Sequence, residues 1–459
     1  MTKASPELGF SDVVENGLCA GCGACAAGVG NVRMVVSDIG TYTPQFAVLT
    51  AAEKTRLNRI CPFSDCAENE DTIAARLFSK FSLCHDKRFG YHDNLEAGHV
   101  ADEDFRLGSS SGGLTSWVLL ELLQRGLVDG VIHMGRDNGN GMLFAFTVSR
   151  NEEELLSHRK SHYYPGEFSH VLAQIRGDGK HYAFVGVPCF VKAIRLLCTQ
   201  DPVLDGQICY AIGLVCGHLK SARFAELLAW QVGVPPSRLA AVDFRVKSQG
   251  NSAGHYEFAA RASSEGAWHS KRSSMLYGGD WGQAFFQLKA CDYCDDIFAE
   301  TADVAFGDAW IPQYVKDWRG DNIVICRNPD IRAILTDGEA LGTIHLEPVG
   351  DEAVHQSQAG NFRHRWDGLS VRLLDTLHSG GRMPRKRIRA GERKVGLLRK
   401  CIIRIRRKSS ARSHLAFAQA RATNDLALFI RHMRFYTRLM HYTHAAIQWL
   451  QRLGINRSL

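Results

Sequence analysis

The sequence shows few of the features that predict a secretory signal or a membrane-spanning helix. Its first seven residues contain no apolar stretch of the kind found in a secretory signal. No run of eighteen residues is both free of charge and dominated by apolar side chains, so we expect no membrane-spanning helix. Fourteen cysteines in a chain without an export signal favour metal ligands in a reducing cytoplasm over disulfide bonds.

Acidic residues are nearly absent from one segment near the carboxyl end. Residues 382–412 contain fourteen Lys and Arg and one acid, Glu392, which gives +13, and residues 413–459 add +5. Subtracting both from the net charge of +7 leaves −11 for residues 1–381. Three interpretations of this basic tail are open: a peripheral contact of residues 382–459 with an anionic membrane on its inner face, docking onto the acidic body, and nucleic acid. Nucleic acid is unlikely, because no groove-reading motif or stacking platform is present.

The strongest motif is a cysteine series near the amino end. Cys19, Cys22 and Cys25 follow one another at two-residue intervals, and Cys61 lies far along the chain, directly before Pro62. This is the bacterial ferredoxin pattern with a distant fourth ligand, which predicts a 4Fe–4S cluster. A zinc knuckle or four unrelated core cysteines are the alternatives. Zinc sites usually supply cysteines in separated pairs, so iron–sulfur is favoured.

A second set of cysteines is more ambiguous. Cys189 and Cys216 each follow an apolar run typical of a buried strand, and Cys291 and Cys294 form a CxxC pair in a polar loop. Cysteines at the carboxyl ends of sheet strands meet where α/β proteins usually hold ligands. Taken alone, the spacing fits a structural zinc, a redox pair, buried thiols or a second cluster. We interpret the other six as small hydrophobic residues: Cys66, Cys84, Cys198, Cys209, Cys326 and Cys401.

The apolar pattern predicts an α/β (or α+β) fold with a mostly buried mixed sheet. Little regular structure is expected in residues 1–70. Helices are predicted over 112–124, 218–232 and, in the tail, 415–453, and buried parallel strands over 182–187 and 208–215. Further strands are predicted over 128–134, 241–246, 255–260, 303–307 and 322–326. Three domains are proposed: a ferredoxin-like 4Fe–4S segment, 1–70; a catalytic domain, 71–380; and a basic helical extension, 381–459.

Four blocks of the sequence resemble the beta subunit of coenzyme F-420 hydrogenase/dehydrogenase, a family of iron–sulfur flavoproteins. They are residues 108–113 with 126–130, then 185–189, 213–217 and 291–310. With the ferredoxin-like segment, the resemblance covers roughly residues 15–330. It implies that Cys189, Cys216, Cys291 and Cys294 bind a second 4Fe–4S cluster beside FAD. Members act on different substrates, so the resemblance does not fix the substrate.

The candidate flavin contacts come from several parts of the sequence. Hydroxyl groups, flexible glycines and a helix amino terminus together form a plausible phosphate cradle at residues 109–113, although an ordinary helix cap fits as well. Lys160, Ser161 and Tyr163 are similar to a family stretch near the cofactor, with Lys and Ser in a different order. Arg245 and Lys247 either neutralise the cofactor's charge or belong to a solvated strand edge, and Asp308 either binds a ribose or caps a turn. The candidates in the cradle are Ser109, Ser110, Ser111, Gly112 and Gly113.

The resemblance implies an oxidoreductase that passes electrons between a hydride donor or acceptor at FAD, such as deazaflavin, and the two clusters. The hypothesised path runs from the second cluster to the first. Phe190 stands where family members often carry Gln, which puts deazaflavin as the substrate in doubt. No nickel-type pair of CxxC motifs is present, so a ferredoxin, a partner redox subunit or a second substrate is needed. A non-catalytic electron-transfer or scaffold subunit is the alternative.

Overall fold

The computed structural model describes residues 7–137 and 141–453. The first six residues of the expected cluster segment and the last six of the expected extension lie outside the described residues. Within the described part of the chain, no helix is long and apolar enough to cross a membrane.

The amino-terminal segment contains more regular structure than its sequence indicated. Thr50 accepts a hydrogen bond from the Glu53 amide in a capping box, and Asn69 caps the next helix through the Thr72 amide. These caps were readable, so the expectation of little regular structure was wrong. The elements are α1 (Phe10–Glu15), α2 (Ala24–Gly28), β1 (Val32–Val36), β2 (Tyr42–Phe46), α3 (Ala51–Ile60) and α4 (Glu70–Phe78), with β1 and β2 antiparallel.

An eight-stranded mixed sheet lies at the centre of the molecule. The strands after the amino-terminal segment are β3 (Cys84–Asp86), β4 (Gly90–His92), β5 (Leu95–Val100), β6 (Gly130–Arg136), β7 (Phe144–Ser149), β8 (Tyr182–Gly186), β9 (Ile208–Leu214), β10 (Ala241–Val246), β11 (Glu257–Arg261), β12 (His269–Arg272), β13 (Val304–Asp308), β14 (Asn322–Cys326) and β15 (Ile344–Pro348). The order in the large sheet is β15-β5-β14-β13-β9-β8-β6-β7. Strands β13, β9, β8 and β6 are mutually parallel, and the outer pairings are antiparallel.

Helices cover both faces of this sheet and continue into the tail. They are α5 (Glu103–Leu107), α6 (Leu114–Gln124), α7 (Glu152–Ser157), α8 (Ser169–Ile175), α9 (Pro188–Cys198), α10 (Pro202–Gln207), α11 (Arg223–Gln231), α12 (Pro329–Ala340), α13 (Asp351–Ser357), α14 (Ala359–Phe362), α15 (Leu369–His378), α16 (Leu397–Thr423) and α17 (Leu426–Arg452). A single π-helical turn, Arg363–Gly368, joins α14 to α15.

The mixed α/β fold and its buried parallel strands are confirmed. All five residues of β8 are buried, and β8 pairs parallel to β9 as the apolar runs indicated. The helix expected to begin at His218 begins instead at Arg223. The intervening residues pair with a neighbouring loop: Leu288 donates its amide to the Leu219 carbonyl, and Lys220 forms an isolated bridge with Gln287. Tertiary pairing therefore displaces the helix start.

The basic extension docks on the acidic body through ion pairs. Arg387 lies 2.7 Å from Glu300 and 2.9 Å from Asp71, and Arg404 lies 2.6 Å from Asp375. Its two long helices also share a hydrophobic cluster with the body. Phe417 and Phe429 of the extension are completely buried against Phe285 and Phe286, with ring centroids 5.4–5.8 Å apart. The extension and the body therefore form one continuous core.

Replacing Phe429 with Ala tests this shared core. We expect a loss of about 3–5 kcal/mol in the free energy of unfolding, because a large buried ring is removed from among aromatic neighbours. Phe435→Ala is the control on the same helix, since that ring is 66% exposed. Denaturant unfolding followed by circular dichroism measures both. Equal midpoints for the two variants would contradict a shared core.

Candidate functional site

The first cysteine group comprises Cys19, Cys22, Cys25 and Cys61, which lie on a loop and two helices. Cys19 and Cys22 lie in the loop between α1 and α2, Cys25 lies within α2, and Cys61 ends α3. Burial raises the pKa of the Cys22 thiol, and the neighbouring Cys19 and Cys61 raise it further. The Cys25 thiol is affected in the same way by the other three. The structure thus brings all four predicted ligands into one neighbourhood.

Glycines let the loop of this group turn tightly. Gly21 has a φ of +76° and Gly23 a φ of +88°, which side-chain-bearing residues rarely adopt. A Cβ atom at Gly23 would lie 2.5 Å from a carboxylate oxygen of Glu167. The Gly21 amide donates to the Cys19 sulfur at 3.3 Å. Such N–H···S contacts tune the potential of a thiolate-bound cluster.

The second cysteine group lies at the carboxyl ends of the parallel strands. Cys189 is in the first turn of α9, Cys216 follows β9, and Cys291 and Cys294 belong to a 3₁₀ turn and its end. Burial raises the pKa of the Cys189 thiol, and Cys294, Cys216 and Cys291 raise it further. Cys22 of the first group contributes to the same shift. The two cysteine groups are therefore neighbours.

Burial favours the neutral thiol over the thiolate in both groups. Burial raises the pKa of Cys61 to about 12, against the lowering effect of the Phe63 and Ser64 backbone amides. Burial likewise raises the pKa of Cys216 to about 11, although the neighbouring Arg365 lowers it. Metal ligation requires the deprotonated form, so binding a cluster would release protons. Across the described ranges, no three His, Cys, Asp or Glu side chains are arranged to hold a single metal ion.

Arg365 supplies positive charge to the second group, and sequence reasoning missed it. This side chain is 1% exposed and lies on the π-helical turn. Burial lowers its pKa, but the charges of Cys294, Cys216 and Cys291 outweigh burial and raise it. Its Nη2 donates to the Cys216 carbonyl at 2.8 Å, while Nε and Nη1 have no hydrogen-bond partner in the described structure. A buried cation with two free donors fits an anionic, thiolate-bound group at this place.

A cavity of about 280 Å³ adjoins the second cysteine group. Cys216 and Phe190 line it, together with most of the residues expected to contact the flavin. Phe190 is buried and stacks on Phe146 at 5.8 Å, so an aromatic wall stands where a polar contact was in question. The expected contacts that line the cavity are Ser109, Ser110, Ser111, Gly113, Lys160, Ser161, Tyr163, Arg245 and Asp308. Gly112 and Lys247 do not line it.

The three serines of the expected phosphate cradle differ in what they offer a ligand. Ser109 donates its hydroxyl to the Phe105 carbonyl and Ser111 donates to the Asp321 carbonyl. Ser110 instead accepts a hydrogen bond from the Ser161 amide at 2.7 Å, so its own proton remains to be donated. Only Ser110 among the three therefore presents a hydroxyl donor to an anion in this arrangement.

Gly112 belongs to the expected phosphate cradle, residues 109–113, and Lys247 contacts the backbone of that cradle, but neither residue lines the cavity. A Cβ atom at Gly112 would lie 2.6 Å from the Gly98 carbonyl oxygen, so the glycine allows close packing against the sheet. Lys247 donates to the carbonyls of Arg106 and Ser111 at 2.5 and 2.9 Å. Burial lowers the pKa of Lys247 to about 7. Both residues shape the backbone of the cradle.

Arg245 and Asp308 form a buried ion pair at the wall of the cavity. Arg245 is 3% exposed, and its Nη1 lies 2.8 Å from both carboxylate oxygens of Asp308. The solvated strand edge considered for Arg245 is therefore wrong, because its guanidinium group is buried over the rings of Tyr256 and Trp310, at 4.6 and 5.5 Å from their centroids. The Arg245 Nε has no partner within the structure as described.

Lys160, Ser161 and Tyr163 all lie on the cavity wall, but Lys160 is already paired. Its backbone has a φ of +93°, and its Nζ lies 2.5 Å from Asp243. Arg159, which sequence reasoning missed, lines the same cavity without a carboxylate partner among the described residues. A Cβ atom at Gly108 would collide with the Arg159 guanidinium group, so Gly108 makes room for this cation. The only hint in the sequence was Gly108 itself, which belongs to the glycine- and serine-rich block 108–113 and so marks a place where another group approaches the backbone closely.

The interpretation of the six other cysteines as small hydrophobic residues, a type that is usually buried, holds only in part. Cys198 and Cys326 are buried, as expected. The remaining four are exposed, so the core interpretation was wrong for Cys66, Cys84, Cys209 and Cys401. Residue type alone does not separate a buried thiol from a surface one.

The fold is that of a chain in a known redox complex. The F420-reducing [NiFe] hydrogenase complex from Methanosarcina barkeri, in a structure derivatised with xenon, contains a chain that matches with a TM-score of 0.50 and 16% identity. The match covers 66% of this chain and 99% of that chain. At this identity the likeness concerns the fold.

Family models identify the chain more narrowly. The coenzyme F420 hydrogenase/dehydrogenase beta subunit matches through its N-terminal model over residues 96–173 and its C-terminal model over residues 179–352. Together these models cover more than half of the chain, which therefore belongs to this family. A subunit of the F(420)H(2) dehydrogenase of Methanosarcina mazei is 26% identical over 219 residues, 45% of this chain and 55% of that protein. The chain thus spans about half the length of the curated relative it matches.

Proposed function

We propose that this chain is an iron–sulfur flavoprotein oxidoreductase that passes electrons between a hydride donor or acceptor at FAD and two 4Fe–4S clusters. One observation carries the proposal: the cavity, the second cysteine group and the first cysteine group follow one another in space. Cys216 lines the cavity, and Cys189 of the same group packs against the hydrophobic cluster that contains Cys22 and Cys25 of the first. The ligands proposed are Cys19, Cys22, Cys25 and Cys61 for one cluster and Cys189, Cys216, Cys291 and Cys294 for the other.

The chemistry depends on converting paired electrons into single ones. Bound FAD would exchange two electrons with an organic hydride and one electron at a time with the clusters. The protein's part is to hold and shield the reacting groups. Arg159, Ser110 and the amino end of α6 at Gly113 would hold the cofactor's pyrophosphate by charge and hydrogen bonds. Phe146 and Phe190 form an apolar wall that excludes water.

The proposed substrate and partners follow the family and its relatives. Deazaflavin or another hydride carrier is the proposed substrate at the flavin, and a ferredoxin or a partner redox subunit is the proposed electron partner. A non-catalytic electron-transfer or scaffold subunit remains the second candidate, since both relatives belong to larger enzymes by name. Turnover of purified chain with a hydride donor separates the two, because the scaffold would hold clusters without independent turnover.

Loss of a single ligand should remove one cluster and leave the flavin. Anaerobically purified protein should contain about eight irons and one FAD per chain. In Cys22→Ala we expect the iron and sulfide content to fall by about half, with FAD unchanged. Cys66→Ala is the matched control, because Cys66 lies in the same segment but is exposed and outside the group. Unchanged iron in Cys22→Ala would refute the ligand assignment, and colourless protein containing zinc would refute the redox proposal.

Arg159 should matter for flavin binding. In Arg159→Gln we expect at least about a tenfold weaker retention of FAD, because a charge-assisted contact to the pyrophosphate is lost. Arg136→Gln is the control, since Arg136 is exposed and does not line the cavity. Flavin released during gel filtration, measured by fluorescence, gives the comparison. Equal retention in both variants would place the pyrophosphate elsewhere.

A peripheral contact with an anionic membrane is proposed through α17 rather than through the paired arginines of the docked segment. The outer face of this helix exposes Phe435, Tyr442 and Trp449 at 66%, 67% and 62%. Aromatic rings beside arginines are typical of interfacial helices. Co-sedimentation with anionic vesicles should fall in Phe435→Ser with Trp449→Ser, and not in Leu415→Ser on the neighbouring helix. Substitution is preferable to deletion of residues 382–459, which would expose the shared core.

A further inference from the structure

A second cavity, of about 480 Å³, adjoins the first. Its size lies within the range typical of small-molecule sites. The two cavities share a wall formed by Tyr163, Val215, Gly217, His218, Trp281 and Asp308. A molecule in the second cavity therefore lies next to the proposed flavin site.

Three arginines line this second cavity, and none of them is neutralised by an ion pair. Arg363 lies on the π-helical turn, and Arg399 and Arg406 lie on α16. Within the residues that the structure describes, none of the three has a carboxylate within ion-pair distance or a hydrogen-bond acceptor. The Nε atoms of Arg399 and Arg406 are buried without a partner. Arginines of the same extension outside the cavity, such as Arg387 and Arg404, are paired with carboxylates.

The charges that face these arginines do not cancel them. Burial, together with the nearby Arg372 and Arg399, lowers the pKa of Arg406 to about 10. Asp292 and Asp280 act in the opposite direction from a distance. Asp367 influences Arg399 without forming an ion pair. Asp308, on the shared wall, already pairs with Arg245. The net field in the cavity is therefore positive.

Aromatic side chains also line this cavity. Tyr163, Tyr256, Trp281 and Trp310 line it, and Tyr163 meets Trp281 edge to face at 4.9 Å. Aromatic walls favour a flat, unsaturated molecule, and unpaired guanidinium groups favour a carboxylate or phosphate. The cationic residues from α16 lie beyond residue 352, where the family match ends. The aromatic residues of this cavity therefore lie within the segment that the family models match, and Arg399 and Arg406 lie outside it.

We propose that this second cavity binds a small, flat organic anion, whose carboxylate or phosphate is held by Arg399 and Arg406. His444 lies at the exposed rim, so the anion enters past α17. The role of this anion as the partner substrate of the flavin rests on the proposed function. Binding of the anion itself does not require the flavin.

Calorimetric titration of the full-length purified protein tests the site. The probes are benzoate and phenyl phosphate, with neutral benzyl alcohol as the uncharged comparison. We expect at least one anion to bind and the alcohol not to bind, and the stronger of the two anions distinguishes carboxylate from phosphate recognition. We expect about a tenfold weaker affinity in Arg399→Gln and in Arg406→Gln, because each removes a charge-assisted contact.

Matched variants distinguish a lost anion contact from misfolding, and a flavin assay separates this inference from the proposed function. Arg438→Gln, on the exposed side of α17, should bind the anion as the unaltered chain does. Arg406→Lys should recover part of the affinity, because it restores the charge without the planar fork. The inference would be overturned if neither anion bound. It would also be overturned if Arg399→Gln and Arg406→Gln both bound the anion with the affinity of the unaltered protein. Flavin is assayed on the same samples, so anion binding without flavin would refute the proposed function alone.

Discussion

The energetic cost of burying sulfur anions is the constraint on which the arrangement of this protein depends. Eight cysteines lie in two adjoining groups whose thiols burial holds in the neutral form. Converting them to ligands would require positive charge close by, from the irons of the proposed clusters and from the protein. Arg365 supplies positive charge to the second group. In the first group Lys192 lowers the pKa of Cys61, although burial raises that pKa by more.

The separation of an acidic body and a basic extension along the sequence is explained by the contacts between them. The basic segment that follows the body brings Lys386 and Arg387 against Asp295 and Glu300, next to the second cysteine group. Lys386 also acts on Cys294 directly. The segment thus contributes to the electrostatic environment of the cysteines while its helices complete the core of the body. An acidic body and a basic extension are complementary parts of one folded unit.

The sequence was informative where a local rule fixes the structure. Apolar runs bounded by glycine placed β8 and β9 and their parallel pairing, and the cysteine spacing singled out both groups that the fold brings together. It was uninformative where distant segments meet. The start of α11 depends on a pairing between Leu219 and Leu288, and the place of Arg365 depends on the turn that follows α14. Neither contact leaves a local pattern. The exposure of Cys66 and Cys209 likewise depends on packing that composition does not record.

The π-helical turn connects the second cavity with the second cysteine group. Arg363 faces the second cavity, His364 donates through Nε2 to the Cys291 carbonyl at 3.1 Å, and Arg365 lies among the second group of cysteines. π-helical turns are rare and are frequently found at functional sites. Here the turn carries side chains that line the cavity beside side chains that contact the cysteine group. Any displacement of this turn moves all three side chains together. A change in the conformation of this turn would therefore alter the wall of the second cavity and the surroundings of the sulfur atoms at the same time.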